Sequence, residues 1–318
     1  PGGAPGNVLV TGGCGYIGGA LVPELQARGH HVTVLDALTN GSPRNLIDAD
    51  VADLTLQEGD VRHYGAVERA MRDADAVVHL AAITGAADSH DNEAETFEVN
   101  LDGTRNVVNA AEKHDVDRIV FASSCNVYGR ATSERIDESV QPEPINPYAE
   151  SKLAAEGLLT ESTVDTTALR LSTVYGHAPG IRFNLVVNDF VVRGLTGRPL
   201  TVYGDGSNWR PFIHVEDAAN AFAHATANDW PEAVYNVGAN GENYRIRDVA
   251  DVIRTATRTS AGVTYLEDEY PGPSYNVCFD RLGLTDFETE WTLEAGVQDL
   301  ADRFASESEH AIDTPADD

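Results

Sequence analysis

A doubly wound α/β fold, in which a parallel sheet is covered by helices on both faces, is what this sequence predicts, with a smaller α/β lobe after it. Three observations carry the prediction. In the first half, short runs that are apolar throughout alternate with segments of helical period, the pattern of strands buried on both faces and joined by crossover helices. A glycine-rich stretch, TGGCGYIG (11–18), sits between the first apolar run and the first helical pattern, where an open α/β sheet places its phosphate loop. Beyond Gly176 the alternation loosens into helical patterns divided by Gly-, Pro- and Asp-rich turns.

NVLVTG (7–12) reads as the first strand; Ile17, Leu21 and Leu25 then share a helical face until Gly29 closes the helix. HVTVLD (31–36) is the second strand, Val67, Ala70 and Met71 mark a short helix, and AVVHLA (76–81) is a buried strand. From Glu93 to His114, Phe97, Leu101, Val108 and Ala111 trace one face of a long helix. RIVFAS (118–123) is a strand, Pro147 to about Thr163 a helix, and TALRLS (167–172) a strand. Right-handed crossovers make a Rossmann-type topology the natural arrangement. Helices at 184–195, 215–227, 246–257 and 293–305 and short strands at TVYG and AVYNVG complete the reading. We expect a dinucleotide-binding domain over 1–176 and a substrate-binding lobe mainly over 177–310, with some segments returning to the first domain. The opening PGGAPG and a disordered tail over 311–318 carry no fold information.

Asp and Glu number 51 against 22 Lys and Arg, a formal net charge of −29, and the acids are spread along the chain. An acidic surface all round repels itself in dilute buffer and is screened within about 3 Å at ~1 M salt. Scarce lysine with abundant carboxylates resembles proteins of salt-loving microbes. The same charge argues against nucleic acid and anionic membranes as partners, and no apolar run reaches the ~20 residues of a membrane span. Cys14, Cys125 and Cys278 lack disulfide or metal spacing, which fits a reducing cytoplasm and no bound metal.

The glycines of 11–18 can be read as Gly13-x-Gly15-x-x-Gly18 or Gly12-x-x-Gly15-x-x-Gly18. Either reading lets a pyrophosphate approach backbone N–H groups at a helix N-terminus. Asp36 ends the second strand, where its carboxylate can accept from both ribose hydroxyls of NAD and would repel the extra phosphate of NADP. No arginine follows until Arg44, so NAD is favoured.

In NPYAESK (146–152) Tyr148 and Lys152 are one helical turn apart, in a chain whose only other lysine is Lys113. A phenol of pKa about 10 is a poor base at neutral pH. A neighbouring ammonium and the positive nicotinamide ring of oxidised NAD would favour the phenolate; lowering the pKa by ~3 units corresponds to about 4 kcal/mol. Such a tyrosinate can take a proton from a sugar hydroxyl while the carbon beneath passes hydride to nicotinamide. SSCNVYG (123–129) places Ser123 and Ser124 at the sheet's carboxyl edge, where a hydroxyl can hold the reacting oxygen against Tyr148.

With TGGCGYIG, these segments resemble the extended short-chain dehydrogenase/reductase family, in its nucleotide-sugar epimerase and dehydratase branch. The likeness covers nearly the whole chain and includes GDV (59–61), HLAA (79–82), NLDGT (100–104), LRLSTVYG and GDGSNWRPFIHVEDAA (204–219). The resemblance implies Ser124 as the catalytic hydroxyl, Tyr148 as the base and Lys152 as its tuner. It implies cofactor contacts from Gly12, Gly15, Tyr16, Ile17, Gly18, Asp36 and Asn40, from Asp60 and Val61 at the adenine, and from Leu80, Ala81, Ala82, Asn100, Ser123, Tyr148 and Lys152. Ser124, Tyr148, Asn184 and Arg210 are the implied substrate contacts, Arg210 as a clamp on the substrate pyrophosphate. His79 and His214 are expected to be structural. Family members pair as homodimers through helices corresponding to 93–114 and 147–163.

In that branch, 4,6-dehydratases and decarboxylases carry an acid between the serine or threonine and Val-Tyr-Gly. Here those positions are Cys125 and Asn126. The simplest expectation is NAD-dependent 4-epimerisation of a UDP-glucose/UDP-galactose type nucleotide-hexose through a transient 4-keto sugar. The alternative is an oxidoreductase or dehydratase of the same family. A second pyrophosphate arginine is missing, because no basic residue lies between Arg258 and Arg281. Either another residue such as Arg182 supplies charge, or the substrate is held differently. The small Val277 is assigned the gatekeeper position beside the sugar.

Overall fold

The computed structural model describes residues 6–131, 134–267 and 273–312, with side chains described for all of these but 86–88 and 306–312. Most of PGGAPG, residues 268–272 of the arginine-free stretch and residues 313–318 lie outside the described residues.

The strands of the first half are β1 (Asn7–Thr11), β2 (His31–Asp36), β3 (Leu54–Glu58), β4 (Ala76–His79), β5 (Arg118–Ser124) and β6 (Asp165–Leu171). Its helices are α1 (Tyr16–Ala27), α2 (Tyr64–Met71), α3 (Ala86–Asp91), α4 (Glu93–Phe97), α5 (Gly103–Lys113) and α6 (Pro147–Thr160). The second half adds β7 (Thr173–Tyr175), α7 (Val186–Leu195), β8 (Leu200–Tyr203), β9 (Trp209–His214), α8 (Val215–Ala227) and β10 (Val234–Val237). It ends with β11 (Asn243–Arg245), α9 (Ile246–Thr257), β12 (Val263–Leu266) and α10 (Leu293–Ile312).

A seven-stranded, all-parallel sheet runs in the order β10-β6-β5-β4-β1-β2-β3. Two cores sandwich it. One holds Leu21 and Leu25 of α1 with Ala218 and Phe222 of α8; the other holds Val67 of α2, Val107 of α5 and Ala155 of α6. The order reverses between β1 and β4, so the loops leaving those strands part and open a crevice at their carboxyl ends.

The smaller lobe has its own core, in which Phe190 and Val191 of α7 meet Val249 and Ile253 of α9 and Val297 and Leu300 of α10. Its strands form a three-stranded sheet, β11-β9-β7, and the pair β12-β8. The chain does not stay in this lobe: α8 packs on α1, and β10 extends the large sheet beside β6.

Four elements depart from the sequence reading. Strand β3 lies at the sheet edge with every residue half-buried or exposed, so it lacks the continuous apolar run that marked the others. The long helix expected from Glu93 to His114 is broken by a π turn over Glu98–Asp102. There the buried Asn100 turns its amide toward the Ile83 backbone, giving Oδ1 a bond from Ile83 N (2.8 Å) and Nδ2 a bond to Ile83 O (3.0 Å). Such single π turns recur at functional sites. The helix from Pro147 ends at Thr160, short of Thr163, and α10 runs on to Ile312.

Candidate active site

The site starts at the crevice between β1 and β4. Gly12 has φ of 72°, and a Cβ there would stand 2.7 Å from Ala81 Cα, so only glycine fits. Helix α1 begins with no side-chain cap at Gly15, which leaves the positive end of its dipole toward the crevice. A Cβ at Gly15 would meet only the Gly12 carbonyl oxygen, at 3.2 Å, whereas one at Gly18 would collide with the Gly13 backbone. Gly15 therefore leaves room for a ligand, and Gly18 lets the helix pack on the loop. Asp36, buried at the end of β2, accepts from Cys14 N (2.9 Å) and Leu38 N (2.8 Å). An uncapped helix start, a cleared glycine and a fixed carboxylate one strand away fit the pyrophosphate and ribose of a dinucleotide.

These glycines make separable predictions. Gly15→Ala is expected to keep the wild-type melting temperature while weakening NAD binding about tenfold, ~1.4 kcal/mol. Gly18→Ala is expected to lose about 1–3 kcal/mol of stability through overpacking. Thermal melts and a fluorescence titration with NAD read the two effects.

The other residues assigned to the cofactor divide. Leu80 and Ala81 follow β4 and lie against the loop, donating from their backbone N–H groups to Thr11 O (3.0 Å) and Thr11 Oγ1 (3.3 Å). Ala82 is half-buried beside them, Ile17 half-buried on α1, and Asn40 exposed. Val61 is buried under Gly103. Asp60 is engaged by Arg62, which donates through Nε (2.9 Å) and a terminal nitrogen (2.7 Å) and holds the carboxyl below its ordinary range. Tyr16 is a latch between lobes: its buried hydroxyl donates to the Gly176 carbonyl at 2.5 Å. Ser123 donates its hydroxyl to the buried Glu156 carboxylate.

The assigned reacting groups stand at the carboxyl end of β5 and on the facing α6. Asn146 caps α6 by accepting from Ala149 N (2.9 Å), and Pro147 follows at its first turn, the sequence signature of a helix start. That start fixes where Tyr148 leaves the helix. The Ser124 hydroxyl caps the turn after β5, accepting from Asn126 N (3.2 Å). Burial pushes the Tyr148 pKa up, while the nearby Ser124 hydroxyl and the Arg182 charge pull it down.

Lys152 is almost wholly buried; its Nζ donates to the Ala122 carbonyl (2.8 Å) and stands 4.7 Å from the centre of the Phe121 ring. Burial lowers its pKa to about 7 against the opposing pull of Glu156. Its ammonium thus bonds strand β5, and the charge of Arg182, which the sequence reading did not assign there, also acts on Tyr148. Asn100 supports this helix, donating to Ser151 Oγ (2.9 Å), and Ser151 in turn donates to the Tyr148 carbonyl (2.8 Å).

On the side of the smaller lobe, Arg210 of β9 lies over the Tyr275 ring at 4.9 Å. Burial pushes the Tyr275 phenol up to about 12, against the Arg210 charge that lowers it. Tyr275 therefore packs against the assigned pyrophosphate clamp; nothing in the sequence spacing marked it. Arg182 donates to Thr84 Oγ1 in the loop after β4 and, through Nε, to Asn184 Oδ1 (3.4 Å). Val277 is wholly buried in the core, with its backbone bound on both sides by Asn243 (2.8 and 3.0 Å), so it packs the interior rather than lining an open wall. Cys125 is likewise buried, its thiol donating to the Arg170 carbonyl (3.2 Å) with a raised pKa. Asn126 Oδ1 is buried with no hydrogen-bond partner.

The histidines are held structurally. His79 is bonded by Thr11 Oγ1 (2.6 Å) and Thr104 Oγ1 (2.9 Å), and burial depresses its pKa to about 3. His214 caps α8, accepting from Glu216 N (3.3 Å), and stacks on Trp291 with ring centres 4.1 Å apart. Among the described residues no group of three His, Cys, Asp or Glu side chains is gathered to hold a metal ion, and no helix is long and apolar enough to cross a membrane.

Comparison with known proteins agrees with this geometry. Residues 8–238 match the model of the NAD dependent epimerase/dehydratase family. The UDP-glucose 4-epimerase of Halalkalibacterium halodurans is 32% identical over 275 residues, covering 79% of this chain and 80% of that protein. The solved UDP-glucose 4-epimerase of Thermus thermophilus, in complex with NAD, superposes with a TM-score of 0.83 at 31% identity, covering 94% of this chain and 99% of that one. A dTDP-glucose 4,6-dehydratase, DesIV of Streptomyces venezuelae with NAD bound, superposes with a TM-score of 0.87 at 27% identity, covering 96% and 98%.

Proposed function

The chain belongs to the NAD dependent epimerase/dehydratase family, with NAD as its cofactor, and we propose that it epimerises C4 of a nucleotide-activated hexose of the UDP-glucose/UDP-galactose type. The observation that carries this reading is the make-up of the turn after Ser124. Cys125 is buried with its thiol on a backbone carbonyl, and Asn126 is an amide. That turn therefore offers no carboxylate to remove the C5 proton of a 4-keto sugar. Ser124 and Tyr148 are left to move protons at the C4 oxygen.

The α1 N-terminus with Gly15 and Gly18 would hold the NAD pyrophosphate, and Asp36 the ribose. Bound NAD supplies a hydride acceptor at C4 and returns the hydride from the same carrier. Ser124 orients the C4 hydroxyl and Tyr148 takes its proton, then gives it back after the keto-sugar presents its other face. Positive charge near Tyr148 favours the phenolate this requires; Arg182 already contributes, and the nicotinamide ring adds to it. Arg210 would clamp the substrate pyrophosphate, with Arg182 as the candidate for the missing second charge. A homodimer paired through the helical segments 93–114 and 147–163, and adaptation of the acidic surface to high salt, belong to the same reading.

The test is product identification. Purified protein at about 2 M salt, where its charge is screened, is incubated with UDP-, dTDP- and GDP-hexoses and no added NAD. Interconversion of C4 epimers is the expected result. A 4-keto-6-deoxy product would instead assign the dehydratase reaction, and turnover only with added NAD the net oxidoreductase.

A further inference from the structure

Behind the reacting groups lies a buried ion pair that no step above uses. Glu156 is one turn beyond Lys152 on α6, and it pairs in two places with Arg170 of β6, at 3.0 Å to Nε and 2.7 Å to a terminal nitrogen. Both side chains are 6% exposed. The pair reaches most of the segment that carries Ser124. Ser123 donates to Glu156, Cys125 donates to the Arg170 carbonyl, and Arg170 donates to the Tyr128 hydroxyl (2.9 Å) while lying over its ring at 5.0 Å. The Tyr128 hydroxyl in turn donates a hydrogen bond to Asn236 Oδ1 (2.7 Å), which ties β10 to the same network. Within Ser123–Cys125, Ser124 is the residue whose hydroxyl acts on Tyr148 instead.

We propose that Glu156 and Arg170 are positioning residues for the reaction: they lock Ser124 against α6 and place a fixed negative charge one turn from Lys152. This rests on the reading of Ser124, Tyr148 and Lys152 as the reacting set. Burying an ion pair rarely adds net stability by itself, so a two-point pair at this position is better explained by what it holds in place. The groups facing Lys152 are few: Glu156 from its own helix, His79 from β4, and the Phe121 ring and Ala122 carbonyl of β5. Glu156 is the negative one. It opposes the burial that drives Lys152 toward neutrality.

Because the chain has two lysines, Lys113 and Lys152, the test is direct. Lysine ε-carbon NMR on labelled, NAD-saturated protein follows Lys152 through pH, with the more exposed Lys113 as the reference. In Glu156→Gln the Lys152 midpoint is expected to fall by about one pH unit, a tenfold change in its protonation equilibrium. The Lys113 midpoint should stay fixed. kcat is expected to drop about tenfold, with KM within about twofold. Should Glu156→Gln fail to fold, the charge-free replacement Glu156→Leu with Arg170→Met is expected to move Lys152 in the same direction. A Lys152 midpoint that stays put or rises would overturn the proposal even if the protein epimerises sugars. A shifted midpoint in a protein with no epimerase activity would instead leave the proposed placement intact and refute the reaction assigned to it.

Discussion

Tyr148→Phe is expected to lower kcat by about three orders of magnitude or more, within the range a positioned acid–base group contributes, while melting temperature and NAD affinity stay close to wild type. The variant keeps the ring and removes one oxygen. That oxygen is the one on which the Ser124 hydroxyl and the Arg182 charge act. No other group of the turn after Ser124 can take its place: the Cys125 thiol is committed to the Arg170 carbonyl, and Asn126 carries no ionisable proton. Burial holds the Tyr148 pKa up in the protein alone, with the Ser124 hydroxyl and Arg182 charge pulling the other way. Rate should therefore rise with pH as the phenolate forms, and Arg182→Met should push that rise to higher pH. The initial-rate profile of wild type and both variants reads this.

Arg170→Met is expected to cost about 3–5 kcal/mol of unfolding free energy, because it leaves the Glu156 carboxylate buried without its cation. The loss propagates: Tyr128 keeps Asn236 but loses its donor, and Ser123 remains bonded to an uncompensated charge. Adding Glu156→Leu should recover much of the loss, since two apolar side chains of similar volume are tolerated where half a pair is not. Chemical denaturation of the single and double variants, read as a double-mutant cycle, measures the coupling.

The parts of this architecture that are legible in the sequence are those set by local chemistry. Apolar runs mark β1, β4 and β5 because those strands are covered on both faces, and Asn146-Pro147 marks the start of α6 because a cap and a proline suit a first turn. The glycine loop is legible because close approach to Ala81 and Gly13 tolerates no side chain. Edge strand β3 carries no such signal, since half-exposed positions need no apolar residue. What escaped is what tertiary contact decides. Tyr16 sits inside the loop motif, yet its hydroxyl belongs to Gly176. Ser123 and Ser124 are adjacent and chemically identical, yet Ser123 donates to Glu156 while Ser124, at the end of β5, accepts from Asn126 N in the turn that follows. Lys152 follows the expected helical spacing, but its ammonium bonds Ala122. Glu156 was within reach, as the same spacing that pairs Tyr148 with Lys152 continues to it. Arg170 and Tyr275 were not, because their partners are distant in the chain.

A nucleotide-hexose deuterated at C4 tests the central claim most directly. Incubated with the protein and no added NAD, it should yield the C4 epimer with the deuterium still at C4, because hydrogen leaves and returns on one bound carrier while Tyr148 handles the oxygen's proton. Deuterium found at C6 of a deoxy sugar, or accumulating in reduced cofactor, would contradict the account.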